Sequence, residues 1–161
     1  MDIKQYPWLT RGAVEFMQDY LKGDMIALEY GAGSSTKWIA DRVKKLYSIE
    51  HDDDWHDTVR NALKDYKNVK LIHHERPYYY INFKTFFNFI LIDGRDRVKC
   101  FRHAIKYLKV GGVIMLDNSE RKEYIQCFNM TKGWPQFTTE GPDYLGTFNY
   151  PDWKTTWWIR S

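Results

Sequence analysis

Apolar positions along the chain follow two alternating rhythms, one of helical spacing and one of short unbroken runs. Between residues 10 and 22, Ala13, Phe16, Met17, Tyr20 and Leu21 fall on one helical face, with Thr10 at the capping position and Gly23 beyond the end. Residues 25–30 form an apolar run that stops at Gly31-Ala32-Gly33. Ser34-Ser35-Thr36 then opens a second helical stretch carrying Trp38, Ile39 and Val43. Residues 46–50 predict another strand. Asp52, Asp53 and Asp54 follow it, acidic residues that suit the positive end of a helix, and Trp55, Val59, Ala62, Leu63 and Tyr66 line that helix on one side. Residues 69–72, 86–92 and 113–116 predict further strands. Val98, Phe101, Ile105 and Leu108 mark the helix between the last two, which is expected to end at Gly111-Gly112. A helix over 120–130 and strands at 136–139 and 155–159 complete the pattern.

Strands alternating with helices predict a parallel sheet covered on both faces, because parallel neighbours need a crossover connection. The expected fold class is α/β, doubly wound, with a mostly parallel sheet. Gly141-Pro142 and Tyr150-Pro151 separate the last two strands, which fits a C-terminal antiparallel hairpin better than another crossover. With 161 residues and no repeat or linker, residues 1–161 are expected to form a single domain. Charged residues at 28% and hydrophobic ones at 43% exclude a disordered or collagen-like chain. A net charge of +3 is too small to imply nucleic acid without a concentrated patch. No apolar stretch approaches the roughly 20 residues of a membrane span and the start lacks an apolar signal centre, so no membrane partner and a cytoplasmic location are expected. Cys100 and Cys127 lack CxxC spacing and are expected to be reduced and buried. The unusual quantity is the aromatic content, 17%, more than a core alone requires.

In open α/β sheets, ligands sit beyond the carboxyl ends of the strands. Here those ends are acidic: Glu29 before the glycine turn, Glu50, Asp93, and Asp117-Asn118. Gly31 and Gly33 allow a sharp turn and a close approach to a ligand, and Glu50, about 20 residues on, can accept hydrogen bonds from ribose hydroxyls. A pair of glycines alone could simply turn a strand into a helix. Two acids at the expected places point instead to a nucleoside. A dinucleotide's pyrophosphate prefers unopposed N–H donors and a third glycine; Thr36 stands in that place and Glu29 lies just upstream. S-adenosylmethionine carries a sulfonium and an ammonium, which carboxylates stabilise, and no phosphate.

The segments LEYGAGSSTKWIA, LYSIEHDDDW, FNFILIDGRDR and LKVGGVIMLDN, together with the closing hairpin, resemble the motifs of the class I S-adenosylmethionine-dependent methyltransferases, in particular a compact branch with a DGRxR segment. The resemblance covers most of the chain and implies a Rossmann-like methyltransferase fold. It further implies that Glu29, Gly31, Ala32, Gly33 and Ser35 surround the methionine part of the cofactor. Glu50 would hold the ribose, His51 or Asp52 would lie near the adenine, and Asp93 near the reacting end. The Asp93, Asp117 and Asn118 set is similar to that of metal-dependent catechol-type O-methyltransferases and implies Mg²⁺. Asp96 departs from that group's pattern by standing where it has a lysine. Against the metal, Asp117 and Glu120 have capping-box spacing, and Asn118 or Ser119 could cap a helix.

The activity expected is methyl transfer to an oxygen of a small molecule or glycan, with Asp93 or Asp117 orienting or deprotonating the acceptor. An NAD-binding oxidoreductase, a nucleic-acid methyltransferase and a catalytically silent cofactor-binding protein are the alternatives. Arg95, Lys99, Arg102, Lys106 and Lys109 make a basic stripe, read first as a solvated helix face, with Arg95 and Arg97 placed where a substrate could enter. His73 or His74 could reach the cleft. Tyr78, Tyr79 and Tyr80 are candidates for the acceptor wall or an interface. Of Trp157 and Trp158, one is expected in the core and the other at an interface. Few residues remain for a lid, which leaves the acceptor site open, suited to a large substrate, or completed by another subunit of a homo-oligomer.

Overall fold

A computed structural model describes residues 4–77 and 80–161. Helix α1 (Arg11–Tyr20) precedes strand β1 (Ile26–Tyr30), followed by α2 (Ser34–Ala40), β2 (Lys45–Glu50), α3 (Asp53–Ala62) and β3 (Val69–His73). Then come β4 (Phe87–Ile92), α4 (Arg97–Ala104), β5 (Leu108–Asp117), α5 (Ile125–Met130), β6 (Gln136–Glu140) and β7 (Lys154–Ile159). These strands form one seven-stranded sheet in the order β3-β2-β1-β4-β5-β7-β6. The first five pair in parallel, and β7 is antiparallel to both β5 and β6. The α/β class, the mostly parallel sheet and the closing hairpin are therefore as expected. No helix among the described residues is long and apolar enough to cross a membrane.

Strand alternation divides the core in two. Ala27, Phe89, Leu91, Met115 and Trp157 face the layer that holds α1 and Trp38 and Ile39 of α2; Leu28, Ile90, Ile92, Leu116 and Trp158 face Cys100, Phe101 and Ala104 of α4. Trp157 and Trp158 do point to opposite faces, yet both are buried, which corrects the expectation of one at an interface. Trp157 is stacked between Phe16 at 4.6 Å and Phe137 at 5.8 Å, so α1 and β6 supply its cover. Cys100 and Cys127 are both buried, the Cys100 thiol donating to Arg95 O at 3.3 Å, and burial pushes the Cys127 thiol up to about 12.

Two boundaries differ from the sequence pattern. Gly111 and Gly112 do not end a helix; α4 stops at Ala104 and a 3₁₀ turn (Ile105–Tyr107) leads into β5, which contains both glycines. The pairing of β5 with β4 shifts register between Phe87 and Phe89. A Cβ on Gly112 would lie 2.9 Å from Lys109 O and 3.0 Å from Asn88 O, so this irregularity requires glycine there. The helix expected over 120–130 is confined to α5 behind a 3₁₀ turn (Lys122–Tyr124). The preceding residues are committed to β7: Ser119 N donates to Lys154 O at 2.9 Å, Lys154 N to Glu120 Oε2 at 3.0 Å, and the Ser119 and Thr156 hydroxyls are 2.7 Å apart. Capping is therefore not what Asp117, Ser119 and Glu120 do.

Candidate functional site

The order of the sheet reverses between β1 and β4, and the carboxyl ends of these strands open into a cavity of about 840 Å³. This is the topological switch point at which doubly wound sheets bind ligands. Gly31 makes the opening. Its φ is +94°, and a Cβ there would lie 2.6 Å from both N and Cα of Gly94, in the loop after β4. Two backbones touch at this point, which only glycine permits. The turn is then held internally: Ala32 N donates to Glu50 Oε2 at 3.1 Å and Gly33 N to Thr36 Oγ1 at 2.8 Å.

The acids of the first two strands have different surroundings. Glu50, 4% exposed, lines the cavity; its Oε1 accepts from His51 N at 2.7 Å and Asp52 N at 3.0 Å, and lies 2.8 Å from His51 Nδ1. Asp52 caps α3 by accepting from Trp55 N at 2.8 Å, and the Trp55 indole N–H donates to Ala32 O at 2.7 Å. Gly31, Ala32, Gly33, Ser35, Glu50 and His51 are thus brought together along one side of the cavity. Glu29 is not among the lining residues. It is fully buried and turned inward, where it accepts from Ser35 Oγ, from Thr36 Oγ1 at 2.6 Å and from Ser48 Oγ at 2.6 Å. Direct contact of Glu29 with a ligand in the cavity is therefore corrected to a role behind the turn, tying α2 to β2. Burial raises its carboxyl to about 7 although the three hydroxyls oppose that shift.

On the other side, Asp93 and Asp117 end adjacent strands, with Arg97 between them. Arg97 Nε donates to Gly94 O at 3.0 Å, Nη2 to Asp93 O at 2.9 Å, and Nη1 to Asp117 O at 2.5 Å. Its Nη2 is also 3.0 Å from Asp93 Oδ1, and Nη1 is 3.9 Å from Asp117 Oδ2. The guanidinium side chain is 10% exposed, so Arg97 is a structural knot rather than a free entrance residue. Burial raises the pKa of Asp93 and of Asp117, and Arg97 opposes both shifts.

The residues present do not fit a divalent cation. Asp117 Oδ1 already accepts from Trp153 Nε1 at 3.0 Å and Thr155 Oγ1 at 2.7 Å, while Asn118 Oδ1 accepts from Arg121 at 3.2 Å. A buried guanidinium supplies the positive charge a metal would bring, so the Mg²⁺ set of Asp93, Asp117 and Asn118 is corrected. Asp96 is gripped by Arg76 through two hydrogen bonds of 2.9 and 2.8 Å, which holds its carboxyl below the usual range.

Most of the other candidates fall outside the site. Of the basic stripe, Arg95 lines the cavity and Lys99, Arg102, Lys106 and Lys109 do not. His73 and His74 do not reach it, the former pairing with Asp53 at 3.0 Å. Tyr78 and Tyr79 lie outside the described residues; Tyr80 is exposed and not part of the cavity wall. That wall is instead completed by Lys4, Trp8, Tyr150 and Trp153, from both ends of the chain. Sequence spacing carried no signal for them, since segments so far apart meet only through the fold.

No family model matches the chain. Among curated proteins, it is 33% identical over 99 residues to ribosomal RNA small subunit methyltransferase A of Clostridium botulinum, a match that covers 57% of this chain and 34% of that protein. The match thus spans about a third of that relative's length. Among solved structures, the O-methyltransferase from Bacillus cereus in complex with S-adenosylhomocysteine superposes with a TM-score of 0.71 at 17% identity, covering 91% of this chain and 78% of that one. The O-methyltransferase TomG of Streptomyces achromogenes, in complex with S-adenosylmethionine, gives 0.67 at 18% identity over 85% and 74% of the chains. An rRNA methylase from Streptococcus thermophilus gives 0.69 at 13% identity over 91% and 94%. The chain has the fold of the class I S-adenosylmethionine-dependent methyltransferases.

Proposed function

We propose that residues 1–161 form one catalytic domain that uses S-adenosylmethionine to methylate an oxygen of a small molecule. The observation that carries this reading is the state of the glycine turn. Its Ala32 and Gly33 amides are already spent on Glu50 and Thr36, and the Glu50 carboxylate lies inside the turn. A pyrophosphate would find occupied donors and a negative charge, so a dinucleotide is disfavoured; a nucleoside with a cationic sulfur is not. The turn from Gly31 to Gly33 with Ser35 would flank the methionine part of the donor. Glu50 would hold the ribose, its oxygens retaining lone pairs beyond the bonds they accept. His51 and Asp52 would border the adenine.

When bound, S-adenosylmethionine supplies an electrophilic methyl group on positive sulfur. The chain's contribution is placement and proton handling. Asp93, with its side chain 24% exposed, is the more accessible carboxylate at the cavity and would accept the acceptor's proton; its raised pKa brings it closer to neutral operating conditions. Asp117, held by Trp153 and Thr155, would orient the acceptor. A nucleic-acid acceptor is the second reading, favoured by the likeness to the ribosomal RNA methyltransferase of Clostridium botulinum. It is weakened by the basic stripe, most of which does not face the cavity.

The test is incubation of the purified protein with methyl-labelled S-adenosylmethionine and a fractionated cell extract. Label in the small-molecule fraction is expected. Label confined to RNA selects the second reading, and no label in any fraction contradicts methyl transfer.

A further inference from the structure

We infer that the outer part of the cavity is a binding site for a planar aromatic acceptor, a small hydroxylated ring compound stacked on Trp8 and Tyr150. This rests on the methyltransferase reading for the identity of the neighbouring ligand. The wall is built from residues 4–10 and 141–153, which are fixed to one another: Thr10 bridges Asp143, Arg11 N donates to Pro142 O at 2.9 Å, and Tyr6 stacks on Tyr144 at 4.7 Å. Asp143 closes its loop by accepting from Phe148 N at 2.9 Å, while its own N–H donates to Phe148 O at 2.9 Å. On this frame, Trp8 packs against Phe148 at 4.9 Å, Phe148 and Tyr150 lie 9° from parallel, and Tyr150 meets Trp153 nearly edge-on at 5.8 Å. The Trp153 indole N–H ends on Asp117. A continuous aromatic surface therefore runs from the rim to the carboxylate proposed to orient the acceptor.

Trp8 and Tyr150 line this cavity while 42% and 49% exposed, an uncommon use of two large rings unless something covers them. An acyclic polyol such as sorbitol has no flat face to lay on such rings; a planar unsaturated ring covers them by stacking. Lys4 Nζ sits 4.0 Å from the Phe148 ring and 4.7 Å from the Trp8 ring, adding a cation at the rim that suits an acidic substituent. The cavity, about 840 Å³, lies in the upper part of the roughly 300–1,000 Å³ range of ligand sites, which leaves room for a donor and a ring compound together. The occupant is a small molecule rather than a polynucleotide because the cations on the cavity wall, Lys4, Arg95, Arg97 and Arg121, share it with the carboxylates of Glu50, Asp52, Asp93, Asp117 and Glu120, so a phosphate backbone entering it meets opposing negative charge.

The experiment is calorimetric titration of the whole protein, first with S-adenosylhomocysteine and then, in its presence, with 3,4-dihydroxybenzoate, sorbitol or a short ribo-oligonucleotide. The expected result is binding of dihydroxybenzoate well above sorbitol. Trp8→Leu and Tyr150→Leu should each weaken it roughly tenfold, the size of one lost ring stack, with unchanged affinity for S-adenosylhomocysteine; Trp8→Phe should recover most of the loss. Equal binding of dihydroxybenzoate and sorbitol, or leucine variants that bind as the unaltered protein does, would overturn the inference. So would an effect of those variants on the oligonucleotide alone. Failure of S-adenosylhomocysteine to bind while ring-dependent binding persists would remove the methyltransferase reading and leave the aromatic site standing.

Discussion

Replacing Arg97 by Met tests how the site is held together. The variant leaves three carbonyls, those of Asp93, Gly94 and Asp117, without this donor, and removes the cation from beside both carboxylates. Because the guanidinium side chain is only 10% exposed, solvent does not replace it freely. Breaking one buried ion pair costs about 3–5 kcal/mol. At roughly 2–4 °C per kcal/mol for a domain of this size, the melting temperature should fall by about 6–20 °C. The loss should depend on pH. Arg97 lowers the pKa of both aspartates, so without it their folded values rise further above the unfolded carboxylate range. A carboxyl raised in the folded state favours folding below its unfolded pKa and loses that contribution as pH rises through the folded value. The deficit should therefore be larger at about pH 8 than at about pH 5, read from urea unfolding at the two values. A melting temperature within a degree or two of the unaltered protein, or a deficit equal at both pH values, would refute the picture of Arg97 as the cation joining β4 to β5.

The remaining expectations concern the turn, the buried acid and the metal. Gly31→Ala should lower stability by about 3 kcal/mol and abolish binding of S-adenosylhomocysteine, because the new Cβ meets the Gly94 backbone at 2.6 Å in a left-handed conformation. Gly33→Ala should be much milder, its Cβ coming only to 3.7 Å from Trp55; equal damage from both in thermal melts and calorimetry would contradict the role given to Gly31. Glu29 is raised from its ordinary 4.5 to about 7, so it makes stability decline as pH rises between those values, and Glu29→Gln should flatten that slope in urea titrations. Methyl transfer should be unchanged in excess EDTA, since Arg97 supplies the charge between the carboxylates; recovery by magnesium of activity lost on chelation would restore the metal site.

The strands and the glycine turn were legible because apolar period and turn chemistry are local. The same locality hides the place of Gly111-Gly112: a glycine pair looks alike at a helix end and in an irregular strand, and only the pairing of β5 with β4 distinguishes them. Glu29 looked like a ligand for a cation because it ends a strand. Its parallel register places it opposite Ser48, and Ser35 and Thr36 descend on it from α2, so hydroxyls rather than the cavity receive it. A signal for this existed in the serine and threonine residues flanking the turn and within β2. The sequence shows Arg97 as a basic residue near Asp93, but its three carbonyl partners belong to two strand ends that sequence spacing does not bring together. The aromatic wall was out of reach for the same reason, its rings coming from opposite ends of the chain.

The most direct measurement of the central claim is calorimetric titration of S-adenosylhomocysteine into the unaltered protein and into Glu50→Ala, with NAD as the competing nucleoside ligand. The account predicts one binding site for S-adenosylhomocysteine, a loss of roughly tenfold or more on removal of the Glu50 carboxylate, and no tight binding of NAD. Silence toward S-adenosylhomocysteine at about millimolar concentration, which is the weak limit of specific binding, or tighter binding of NAD, would contradict it.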